Sequence, residues 1–226
     1  LPTYAVITEG RQHEVTVAKT LSFAPGTILV IDRGYVDYRW FATLTRQGVC
    51  FVTRLKANAV YRVVGTREVP ANRGIVNDEL IELTGTGAAA KCPYPLRRVE
   101  VEDPDTGDTL VFLTNHLTFG ATTIARIYKD RWQIEIFFKT IKQNLKIKSF
   151  LGTSKNAVLT QIWVAMSYYL LLTYIKYQTK YGHSLLTLSR NIREMLFERK
   201  NLIDILTLKP ERLVIVQDEP LQGALF

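Results

Sequence analysis

The chain has 226 residues, 47% of them hydrophobic, and carries a formal net charge of +8 with a pI of about 9.5. That is enough for one sizeable core, or one domain with an inserted module, and no repeat or low-complexity segment interrupts it. Cys50 and Cys92 have neither disulfide-framework nor metal-site spacing, and the expectation is a reducing cytoplasm without a secretory signal.

LPTYAVITEG (1–10) reads as a strand ending in a turn, and RQHEVTVAKTLSF (11–23) has helical spacing. TILVI (27–31) is a short, continuously apolar run of the kind found in a buried strand, with Asp32 at its carboxyl end. YRWFATLTRQG (38–48) reads as a helix closed by Gly48, and VCFVTRL (49–55) as the next strand, with Cys50 inside its apolar run. Strand, helix and strand joined by short connections indicate an α/β sheet. From Ala59 to about Thr114 the character becomes β-rich. YRVVGTREVP and IVNDELIELT read as two strands, GTGAAAKCPYP (85–95) as a loop, and RRVEVEDPDTGDTLVFLT as a hairpin turning at DPDTGD. The remainder is helical over 121–148, 156–179 and about 185–200, followed by an irregular tail.

The chemistry-bearing residues concentrate in ARIYKDRWQIEIFFKTIKQNLKIK (125–148). As one helix, it places Tyr128, Arg131, Glu135 and Lys142 within an arc of about 60°. Beside them runs an apolar stripe of Ile127, Ile134, Phe138, Ile141 and Leu145. Between Arg126 and Lys155 there are eight Lys or Arg and two Asp or Glu. A local excess of positive charge favours a phosphate backbone, with salt-dependent binding. The plainer reading of Glu135 is a surface carboxylate paired with Arg131 or Lys139, and of Asp32 a turn residue capping its own backbone. Tyr128 also reads as half-buried packing, and Trp40, Trp132 and Trp163 fall within helical patterns as core residues.

The Tyr-(2)-Arg-(3)-Glu-(6)-Lys spacing resembles the signature of bacterial DDE transposases of the insertion-sequence-four family, and residues 27–61 resemble the block around that family's second catalytic Asp. The resemblance implies an α/β, ribonuclease H-like catalytic core with a β-rich insertion and C-terminal helices. Its core would span 1–58 and 117–205, the insertion 59–116 and the tail 206–226. Asp32 and Glu135 are implied as catalytic and metal-binding carboxylates for Mg²⁺ or Mn²⁺, and Tyr128, Arg131, Lys139 and Lys142 as DNA contacts. Double-stranded DNA, as transposon ends and target, is the implied partner. A homodimer in a synaptic complex is the implied assembly, in a bacterial, nucleoid-associated cytoplasmic setting. The family's first Asp lies on a strand upstream of Leu1. The expectation is therefore a core lacking its first two strands and a chain that does not cleave DNA by itself.

Two other classes remain open on the residues. One is a DNA-binding remnant without catalysis. The other is a membrane-associated helical protein, because 157–175 holds 19 residues without a charge, close to the roughly 20 that span a bilayer. Gln161, Ser167 and three tyrosines in that segment favour a buried helix packed on the Glu135 helix instead.

Overall fold

The computed structural model describes residues 5–7, 14–71, 73–85, 87–103, 106–144, 152, 154–195, 197 and 206. The strand expected over 1–10 and the tail over 206–226 fall outside these residues, save 5–7 and Leu206. The chain divides into two compact units, Val6–Ile136 and a second made of Leu1–Ala5 with Phe137–Phe226.

The first unit is built on one six-stranded sheet: β1 (Ile28–Val30), β2 (Cys50–Arg54), β3 (Tyr61–Thr66), β4 (Ile75–Leu83), β5 (Leu96–Glu102) and β6 (Thr109–Thr114), in the order β1-β2-β6-β5-β4-β3. β1 and β2 are parallel, with Ile28 beside Cys50 and Val30 beside Val52. Every other pairing is antiparallel. The fold is therefore mixed α/β. The strands of the 59–116 segment are hydrogen-bonded onto β2 through β6, so they extend the same sheet.

Alternation along the strands sorts side chains onto two faces. On one face, Phe41 and Leu44 of α2 (Tyr38–Arg46) pack with Phe51, Ile81, Leu96 and Leu113. The Phe41 and Phe51 rings stack at 4.1 Å. Asp37 starts α2 by accepting the Trp40 N–H at 3.0 Å. Gly48, at φ +69°, ends the helical run in a conformation that suits glycine. A short α1 (Glu14–Ala18) precedes β1, with Ala18 on the same cluster.

On the other face lies α4 (Ala121–Asp130), whose Ala121, Ile124 and Tyr128 pack against Val52, Val99 and Phe112. Arg97 and Asp78 form a buried ion pair, and Arg97 Nη1 also donates to the Phe119 carbonyl just before α4. Asn115 ties three segments together. Its amide donates to Thr45 Oγ1 and to the Val49 carbonyl, both at 2.9 Å, and its oxygen accepts the Phe51 N–H at 2.8 Å.

Several expectations are corrected. The 85–95 loop contains a helical turn, α3 (Ala88–Lys91), where three consecutive alanines supply strong helix formers. The single helix expected over 121–148 is two: α4, and α5 (Trp132–Asn144). Between them the backbone tightens. Arg131 N–H donates to Tyr128 O and Ile134 N–H to Arg131 O, both three residues apart and at 3.0 Å. Such bonds wind more tightly than an α-helix and shift the phase of the residues beyond them. The expected apolar stripe accordingly breaks: Ile134 and Phe138 are exposed, whereas Phe137 and Ile141 are buried. Leu145 lies outside the described residues. Of the tryptophans only Trp40 is buried; Trp132 and Trp163 are exposed. Cys92 is the core cysteine, Cys50 being half-buried, and both are free. Burial pushes both thiols up.

In the second unit, α6 (Lys155–Thr179) begins at Ser154, whose hydroxyl accepts the Ala157 N–H. Within this unit, Ala165, Met166 and Tyr169 of α6 meet Phe137 and Ile141. Leu172 packs with Leu188 of α7 (Leu185–Glu194), and most of the stretch from there to the expected limit at about 200 lies outside the described residues. α6 is not the buried helix expected. Val164, Leu171, Tyr174 and Tyr177 are exposed, and by length and composition α6 could cross a membrane.

Candidate active site

β1 delivers Asp32 to the carboxyl end of a parallel strand pair, where open α/β sheets place their functional groups. Asp32 Oδ1 accepts the Gly34 N–H at 2.9 Å and starts a 3-10 turn over Arg33–Tyr35. The capping role read from sequence is thus present. It occupies one carboxylate oxygen and leaves the other facing Arg131.

Arg131 gathers the site. Its Nη2 meets Glu135 Oε1 at 2.8 Å and its Nη1 lies 3.4 Å from Asp32 Oδ2. The guanidinium carbon sits 5.3 Å from the Tyr128 ring centre, a cation–π distance. Arg131 is mostly buried, at 19% side-chain exposure, whereas Asp32 and Glu135 are 50% and 42% exposed. Its Nε is buried without a hydrogen-bond partner among the described residues. Burial acts to lower the Arg131 pKa, but the hydrogen bond and charge of Glu135, with Tyr128 and Asp32, outweigh it and hold the group cationic.

Tyr128 is a core residue as much as a site residue. Only 8% of it is exposed, and its ring packs 4.9 Å from Phe112. Burial is the main cause that raises its hydroxyl pKa, and the Asp32 charge adds to it against Arg131 and Arg54. The hydroxyl therefore stays protonated at neutral pH. Its field exposes a residue that sequence reading missed. Arg54 closes β2 two positions after Val52, on the same face, so its charge reaches Tyr128. That alternation with Val52 was the available signal. Trp132, 58% exposed, directly succeeds Arg131.

The structure thus brings together Asp32, Tyr128, Arg131 and Glu135. Lys139 and Lys142 are exposed on the part of α5 that belongs to the second unit. Beside Asp32 opens a cavity of about 270 Å³, lined by Phe23, Tyr35, Trp40, Arg131 and Ile134. Among the described residues, no three His, Cys, Asp or Glu side chains stand together.

Two carboxylates sharing an arginine at a strand end is an arrangement suited to phosphoryl chemistry, and comparison with known proteins decides the family. Residues 1–171 match the transposase DDE domain. The chain belongs to the DDE transposase domain family. A protein named as a transposase, y4zB, of Sinorhizobium fredii is 36% identical over 203 residues, covering 88% of this chain and 56% of that protein. A protein of Geobacillus stearothermophilus, named as a transposase for insertion sequence element IS5377, is 31% identical over 182 residues, covering 80% of this chain and 47% of that one. A third, named for element IS4SA of Synechocystis, is 33% identical over 76 residues, 34% of this chain and 22% of that protein. The chain therefore spans about half the length of the first two relatives.

Proposed function

We propose that this chain provides part of the catalytic centre of an insertion-sequence transposase, with Asp32 and Glu135 as two carboxylates of a metal-dependent DNA strand-cleavage and strand-transfer site. The observation that carries this reading is the placement of both carboxylates on Arg131 at the end of β1. The Tyr128, Arg131, Glu135 and Lys142 spacing supports the finer assignment to the insertion-sequence-four family and a ribonuclease H-like core.

The donor set suits a hard divalent ion. Both groups are carboxylates, both are partly solvated, and Mg²⁺ or Mn²⁺ is commonly held by one or two carboxylates together with substrate phosphates. Bound there, such ions would activate the attacking oxygen and stabilise the leaving oxygen at phosphorus. The protein's own contribution is positioning. Arg131 presents a guanidinium with a spare Nε, and a planar fork suits a phosphate better than a point charge does. Tyr128 holds that guanidinium from below, and Arg54 adds a second cation on the same face. Lys139 and Lys142 serve as backbone contacts for double-stranded DNA. This chemistry belongs in the bacterial nucleoid, with a homodimer holding the paired ends.

The test is duplex-DNA binding by fluorescence anisotropy across NaCl concentrations, with and without Mg²⁺. The expected result is salt-dependent binding that Mg²⁺ strengthens, with the Mg²⁺ effect abolished in Asp32→Asn/Glu135→Gln. Salt-dependent binding that ignores both the metal and the double variant would leave a DNA-binding remnant instead. No binding at all would end the transposase reading of this chain.

A further inference from the structure

The first unit holds a second cavity. Its volume is about 440 Å³, and it is lined by Lys19, Val36, Asp37, Tyr38, Arg39 and Lys91. The two cavities share one strip of chain. Ala18, Tyr35 and Trp40 line the cavity at Asp32, whereas their neighbours Lys19, Val36 and Arg39 line the second. Three pairs of sequence neighbours, Ala18 and Lys19, Tyr35 and Val36, and Trp40 and Arg39, divide between the two cavities, and consecutive Cα atoms are only about 3.8 Å apart.

The charge in the second cavity is not compensated. Asp37 is its one acid, and both carboxylate oxygens are engaged: Oδ2 by Lys19 Nζ at 2.5 Å and Oδ1 by the Trp40 N–H at 3.0 Å. The Lys19 hydrogen bond and charge, with the Trp40 and Arg39 N–H groups, outweigh burial and hold Asp37 below the usual carboxylate range. Arg39 and Lys91 are exposed and have no side-chain partner among the described residues. They come from different elements, α2 and the turn of α3, yet converge on one concavity. Tyr38 lines it too. Burial, then the nearby Cys92, raises its pKa, so it offers a neutral hydroxyl. A concave site with two unpaired cations, a hydroxyl and a neutralised acid is suited to a phosphodiester.

We infer that Arg39 and Lys91 form a second DNA-backbone contact, which holds the duplex where it runs on past the cleavage position at Asp32. The inference rests on the transposase reading and extends it to residues outside the Asp32–Arg131–Glu135 group. Removing one cation that neutralises a phosphate should lower the slope of log affinity against log salt by about 1.

The experiment is a salt titration of duplex-DNA binding for the full chain, for Arg39→Gln/Lys91→Gln, and for the charge-matched Arg46→Gln/Arg73→Gln at exposed positions away from both cavities. Arg39→Gln alone, with the far-ultraviolet dichroism of each variant, separates weakened phosphate binding from unfolding. The expected slope falls by about 2 in the first double variant and by about 1 in the single one, with no change in the charge-matched pair. Equal slopes in the wild type and Arg39→Gln/Lys91→Gln overturn the inference while leaving the Asp32 site intact. An equal fall in both double variants overturns it too, because diffuse charge would then explain the binding. A wild-type chain that binds no duplex removes the transposase reading itself.

Discussion

Two arginines in the first unit each hold carboxylates, and burial separates their roles. Arg97 meets Asp78 through two parallel bonds, Nε to Oδ1 at 2.7 Å and Nη2 to Oδ2 at 2.6 Å, while Nη1 reaches the Phe119 and His116 carbonyls. Its side chain and that of Asp78 are 1% and 3% exposed. Arg131 instead stands between two half-solvated carboxylates with one buried N–H unspent. A fully satisfied buried fork has no capacity left for a ligand, so Arg97 fixes the loop entering α4. Arg131 has such capacity, and its partners can exchange it for water, metal or phosphate.

The sharpest way to break that comparison is to remove one partner from each. Asp78→Asn leaves the Arg97 charge buried without its counter-ion, and the expected loss of stability is about 3–5 kcal/mol. Arg131→Gln removes a guanidinium whose two carboxylate partners stay half-solvated, and the expected loss is smaller, about 1 kcal/mol. Urea unfolding of both variants measures the two side by side. Equal losses would mean that Arg131 is as structural as Arg97.

Next in size is Asn115, which serves stability alone. Asn115→Ala leaves the Phe51 N–H and the Val49 carbonyl without their side-chain partner between α2 and β2. Unsatisfied buried groups cost about 1–3 kcal/mol, so a clear drop in the urea midpoint is expected with an unchanged m-value. A neutral result would show that water replaces the amide there.

Legibility varied between segments for physical reasons. α2, β2, β4 and the 96–114 hairpin were legible because strong periodicity, Gly48 and the DPDTGD turn mark them locally. The joining of the 59–116 strands to β2 was not, because strand pairing depends on partners far apart in sequence, such as Thr114 beside Val52. The site was legible as a set of residues, and its geometry was not. A stripe at about 100° per residue assumes an unbroken helix, whereas the backbone tightens at Arg131 and Tyr128 is buried against Phe112 on the α4 side of that turn. Arg54 was marked only by its alternation with Val52, and the Arg39–Lys91 pair left no local mark, since only the α3 turn brings Lys91 to its place.

Asp37 tests the boundary between stability and binding. Asp37→Ala removes the N-cap of α2, for an expected loss of about 1 kcal/mol in thermal or urea unfolding. The same change frees Lys19, so duplex binding should tighten while stability falls. Weaker binding in this variant would show that the acid orders the cavity more than it neutralises it.

The smallest expected effect is a pH dependence at His116. Its Nδ1 accepts the Phe119 N–H at 3.2 Å, which requires the neutral ring with its proton on Nε2. Burial, and then the Arg97 charge, lower its pKa. The unfolded chain therefore binds the proton more readily than the folded one, and stability rises with pH through that window. The contribution is complete above the ordinary histidine value of about 6.5 and fades as pH falls towards the depressed folded value. Protonation would set a ring donor against the Phe119 N–H, beside the carbonyl that Arg97 holds at the entrance to α4. Urea midpoints between about pH 7.5 and 5 should fall less in His116→Gln than in the wild type, because glutamine offers an acceptor that does not titrate there. Identical slopes would mean that His116 reorients on protonation and that the α4 entrance is held by Arg97 alone.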